Sequence, residues 1–72
     1  MKLRITQGTL SSQHGRDGQD IGLTMLFAGE YTGSLCDSGD LEIDIGNGHL
    51  AYVPSNKIEE KIERGDLVVL AL

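Results

Sequence analysis

The chain has no tryptophan, one proline (Pro54), one cysteine (Cys36) and three aromatic residues, Phe27, Tyr31 and Tyr52. A single cysteine excludes an internal disulfide. Small extracellular domains ordinarily need such cross-links, so a reducing cytoplasm is the expected compartment. With so few aromatics, aliphatic side chains must fill the core. No apolar run approaches the ~20 residues of a membrane span. Residues 1–10 alternate polar and apolar and lack the apolar centre of a signal peptide. At 72 residues the chain has room for one domain, 1–72. A domain of this size buries only roughly 60% of the surface its unfolded chain exposes. Two-domain enzymes, dinucleotide-binding folds and α/β barrels are therefore excluded. The 39% hydrophobic and 24% charged fractions are too apolar for intrinsic disorder.

The most informative absence is that of basic residues between Arg16 and Lys57. Residues 1–16 carry +3, residues 17–56 carry −7 and residues 57–72 carry −1, for a net charge of −5. The balance argues against direct nucleic-acid binding, which needs Lys and Arg to displace counterions, and against an anionic membrane surface.

Along the chain, residues 2–6 alternate with Leu3 and Ile5 on one face, as in a short strand that Leu10 could extend. Residues 11–20, SSQHGRDGQD, read as a flexible loop. Residues 21–32 read as one strand bent at Gly29, with Leu23, Met25, Phe27 and Tyr31 on its apolar face. A helix is the alternative, weakened by Gly22 and Gly29. Residues 33–40 are turn-like. Residues 41–53 form a β-hairpin through the Asn47-Gly48 turn. A strict two-residue loop sets Ile45 opposite Leu50 and Ile43 opposite Tyr52. Residues 56–64 read as a helix with Asn56 as N-cap and Glu59 completing a capping box. Ile58 and Ile62 face the core and Gly65 stops the helix. Residues 67–72, LVVLAL, suit a strand covered on both faces. The expected fold is α+β: an antiparallel sheet of three to five strands with one helix near the C-terminal end.

Catalytic and metal motifs are lacking. Cys36, His14 and His49 are the only candidates for thiol chemistry, and no spacing brings them together. They also fall short of the four ligands of a structural zinc site. Asp37, Asp40, Glu42 and Asp44 lack the glycine and the terminal glutamate of a calcium loop. The glycines at 15, 18 and 22 lack the Gly-Lys-Ser/Thr ending of a phosphate loop. Neither an enzymatic activity nor a cofactor or metal is expected.

The candidate binding residues are the seven acids of the basic-free stretch: Asp17, Asp20, Glu30, Asp37, Asp40, Glu42 and Asp44. Alternate carboxylates on a strand stand roughly 7 Å apart on one face, a spacing similar to that of successive phosphates on a nucleic-acid strand. Such a face suits a protein partner with a basic surface. In size, acidity and lack of catalytic motifs the whole chain resembles the small anti-CRISPR proteins of phages and mobile elements. Among these it looks most like inhibitors of type I effector complexes, type I-C in particular. The resemblance implies a monomer in the cytoplasm of an infected bacterium that binds a subunit of the Cascade-type complex. It would block DNA binding as a DNA mimic, or block nuclease recruitment. The alternative is a small β-rich adaptor or accessory subunit that binds through a strand edge or an apolar patch.

Overall fold

A computed structural model describes residues 1–14 and 20–72, without the side chains of residues 14, 20 and 21. Seven strands and one helix make up these residues: β1 (Lys2–Ile5), β2 (Thr9–His14), β3 (Asp20–Leu26), β4 (Gly29–Leu35), β5 (Leu41–Gly46), β6 (His49–Val53), α1 (Ser55–Glu63) and β7 (Leu67–Ala71). They join in one antiparallel sheet in the order β3-β2-β6-β5-β4-β1-β7. The protein is thus mostly β, and the expected α+β sheet of three to five strands is corrected to seven strands with one helix.

Two misread segments account for the extra strands. Residues 11–14 are not loop but the last four of the six residues of β2, between β3 and β6. Their polarity hid them. Ser11 is buried, yet its hydroxyl donates to the Tyr52 carbonyl at 2.6 Å, so the buried polar group is satisfied. Residues 15–19 of the expected loop lie outside the described residues. Residues 21–32 are not one bent strand. The chain leaves the sheet at Phe27–Ala28 and re-enters as β4 at Gly29, whose φ of +153° few side chains would tolerate.

The core is one cluster fed from most of the sheet: Leu3 and Ile5 of β1, Leu26 of β3, Leu41 and Ile43 of β5, Ala51 and Val53 of β6, and Leu67 of β7. For strands at opposite ends of the sheet to share a cluster, the sheet must curl around it. Where β4 crosses this interior it carries Gly33. A Cβ there would stand 2.7 Å from Leu3 Cδ1 and 3.0 Å from the Glu42 carbonyl oxygen.

The hairpin β5–β6 departs from the expected register by one residue. Asn47 and Gly48 have φ of +56° and +77°, as a two-residue I′ turn requires. The slip follows the turn: Gly46 pairs with His49, Ile45 is passed over as a bulge, and Asp44 pairs with Leu50. Glu42 is therefore opposite Tyr52, and Ile43 opposite Ala51. Hydrophobic sorting explains the bulge. In the strict register Glu42 and Asp44 would share a face with Ala51 and Val53. With the bulge Leu41, Ile43, Ala51 and Val53 all point inward, each at most 2% exposed.

The helix starts at Ser55, one residue earlier than expected, and Asn56 is not its cap. Pro54 holds the N-cap position without a side-chain bond, and Asp40 Oδ1 accepts from Ser55 N at 2.8 Å instead. Its end follows the Schellman pattern: Asp66 N donates to Lys61 O and Gly65 N to Ile62 O, with Gly65 at φ +80°. Ile58 packs against the core, but Ile62 is 45% exposed, contrary to expectation, and Lys61 is the other half-buried helix residue. Strand β7 is not covered on both faces. It is a sheet edge beside β1, and past Leu67 its residues are exposed.

Candidate functional site: the outer face of the sheet

The inward set fixes the outward one, because side chains alternate along a strand. Glu42 and Asp44 of β5 face outward, with Ser34 of β4 and Tyr52 of β6 beside Glu42 in register. This strip holds part of the acidic set. Asp37, in the turn before β5, is exposed and makes no hydrogen bond or ion pair among the described residues. Asp44 is exposed, and its Oδ1 accepts from Gly46 N at 2.8 Å, which steadies the bulge. Asp40 is committed to the helix start. Glu30 lies apart on β4, opposite Arg4, and pairs with it at 3.4 Å with both side chains about half exposed. Glu30 therefore has a basic partner that its sequence neighbourhood did not disclose. Asp20 opens β3, but its side chain, like all of Asp17, lies outside the described residues.

Glu42 is the most engaged of the set. Its Oε1 accepts from Cys36 Sγ at 2.6 Å and from Tyr52 Oη at 3.0 Å, and Cys36 Sγ lies 3.7 Å from Tyr52 Oη. The thiol is pushed above its ordinary 9.0, first by the hydrogen bond to Glu42 and then by loss of water. The phenol is pushed well above its ordinary 10.0, first by Cys36 and then by Glu42. Both groups stay protonated at neutral pH and both donate to one carboxylate oxygen. Reactive thiols need the opposite shift. The arrangement therefore locks three side chains rather than activating one. Sequence reading missed it because Glu42 and Tyr52 meet only across the bulged register. His49 is held elsewhere: its Nδ1 accepts from Gln13 Nε2 at 2.8 Å. Among the described residues no group of three or more His, Cys, Asp or Glu is placed to hold a metal ion.

The second outward feature is apolar. In the hairpin β2–β3, Leu10 pairs with Met25 and Ser12 with Leu23, so Leu10, Leu23 and Met25 share a face, and Phe27 follows at the strand end. Leu10 is 63% exposed, Leu23 70%, Met25 45% and Phe27 69%. Their parity matches the expected apolar face, but the core takes Leu26 from the opposite face instead. Strand β3 is also an edge of the sheet.

No known family, curated protein or solved structure matches this chain. No helix among the described residues is long and apolar enough to cross a membrane. The outer face carries two features: an acidic strip on β5 with Glu42 locked, and an exposed apolar hairpin at one edge.

Proposed function

We propose that this chain is a non-catalytic binding protein, an adaptor or accessory subunit that docks on a larger protein assembly through the outer face of β2–β3. The observation that carries this reading is the exposure of Leu10, Leu23, Met25 and Phe27 on one hairpin. Single exposed apolar residues are ordinary, but several together on an edge hairpin mark an interaction surface. Apolar and aromatic anchors also supply most of the energy of protein interfaces.

A second reading is supported by the outward placement of Glu42 and Asp44 with exposed Asp37 nearby. It is the one implied by the anti-CRISPR resemblance: an inhibitor in the cytoplasm of an infected bacterium that lays carboxylates on the basic DNA path of a type I effector complex. Asp37 and Asp44 are then the principal contacts, since Asp40 and Glu42 are already engaged.

Binding to a reconstituted type I effector complex at about 50 and about 500 mM salt separates the two, because exposed charge pairs are screened over this range and apolar docking is not. For apolar docking, Met25→Ser with Phe27→Ser weakens binding about tenfold or more and salt changes it little. For charge-driven binding, affinity falls steeply with salt and Asp37→Asn with Asp44→Asn reproduces the fall. Binding that responds to neither pair of substitutions sinks both readings.

A further inference from the structure

Two clefts meet beside α1. The first, about 330 Å3, has an apolar side of Ile5, Leu10, Leu23, Leu26, Val53 and Leu67 and a polar side that includes Thr9, Ser11, Ser12 and Tyr52. That volume is at the lower end of those that hold small molecules. The second, about 340 Å3, is polar and is lined by Gln7, Gly8 and Thr9. Lys61, Arg64 and Asp66 border both clefts.

The charge at this junction runs against that of the whole molecule. Lys57, Lys61 and Arg64 follow each other at helical spacing on one face of α1, and all three line the first cleft. They are half of the six basic residues in a chain of net charge −5. Glu60, between them, lies 3.9 Å from Lys57 Nζ and 3.5 Å from Arg64 Nη1. Lys61 makes no ion pair among the described residues, although it is half-buried and occupies the face that Ile58 turns to the core. A lysine placed so can lay its methylenes on apolar surface and carry its ammonium to the polar side. Asp66 is the one other carboxylate on the lining, so the rim carries +1.

We propose that the double cleft binds a small amphipathic carboxylate, with its hydrocarbon part in the apolar cleft and its carboxylate in the polar cleft, against Lys61 and Arg64. A cleft with one apolar side that opens past cationic side chains into a polar cleft matches a molecule with an apolar tail and an anionic head. A cationic head would meet the ammonium and the guanidinium. This site meets the docking surface at Leu10 and Leu23, but its interior residues Leu26 and Leu67 and its cations on α1 lie apart from Met25 and Phe27.

Decanoate, kept below its micelle concentration, is the probe, with decanol as the same tail without charge. Titration of the full chain followed by amide NMR should give saturable shifts at Leu26, Lys61 and Leu67, with decanol at least about tenfold weaker. Lys61→Gln should weaken decanoate about tenfold and leave decanol unchanged, and Asp66→Asn should tighten decanoate. The half-buried Lys61 makes no side-chain hydrogen bond or ion pair among the described residues, so its variant is expected to keep the parent spectrum. Shifts confined to the Met25 and Phe27 face, equal affinity for decanoate and decanol, or indifference to Lys61→Gln would each overturn the proposal.

Discussion

Glu42 Oε1 receives two hydrogen bonds, from a thiol and from a phenol, and both donors are held protonated by the bonds they make. Cys36 is consequently a sluggish nucleophile despite being only half-buried. Its alkylation by iodoacetamide at pH 8 should run severalfold slower in the folded protein than in the denatured chain. Two substitutions should move that rate in opposite directions. Glu42→Gln removes the largest cause of the upward shift and speeds the reaction. Tyr52→Phe removes the one hydrogen bond that lowers the thiol and slows it. The same shifts set an alkaline limit on stability. Both groups titrate higher folded than unfolded, so the unfolded chain loses these protons first. The contribution of the cluster is complete below the ordinary thiol value of 9.0 and is lost as pH rises through it and toward the raised values. The thermal midpoint should be flat from about pH 7 to 8.5 and fall above that, less steeply in Cys36→Ser.

At the scale of elements, the helix depends on a residue from another part of the chain. Asp40, in the turn before β5, supplies the acceptor that a cap would give to Ser55 N. Asp40→Ala should cost about 1 kcal/mol, the usual worth of a cap, read as a shift in the urea midpoint. Asn56→Ala should be nearly silent, because Asn56 is already inside the helix. This contrast shows what sequence patterns disclose here. Local signals reported well: Asn47-Gly48 is the turn, Gly65 ends the helix, and Leu3 with Ile5 point inward. Signals that depend on distant partners did not. Ser11 is legible as an interior strand residue only once the Tyr52 carbonyl is known to await its hydroxyl. The register of β5–β6 needed the whole interior, because only the shared core decides that Ala51 and Val53 belong with Leu41 and Ile43. Of the acidic set, alternation placed Glu42 and Asp44 on the outer face. It could not show that Glu30 meets Arg4 or that Asp40 serves the helix.

For the molecule as a whole, three adjacent strands meet tightly at Gly33 of β4, beside Leu3 of β1 and the Glu42 backbone of β5. Gly33→Ala forces either the Leu3 side chain or that backbone to move, and the backbone is held by the ladder between β4 and β5. A loss of about 1–3 kcal/mol in denaturant unfolding is expected, the usual cost of overpacking. Leu3→Ala alone should also destabilise, but together with Gly33→Ala the loss should be smaller than the sum, since the added methyl enters the space that Leu3 vacates.

The pairing of β1 with β7 has a kinetic consequence. Lys2 lies opposite Ala71, so β1 is completed by the strand farthest from it in sequence. Until then β1 has only β4 for a neighbour, and Leu67 is missing from the interior cluster. Contacts that span nearly the full chain close the largest loops and slow the search for the native state. The sheet is therefore sealed late in folding, by its longest loop closure, however early its hairpins form.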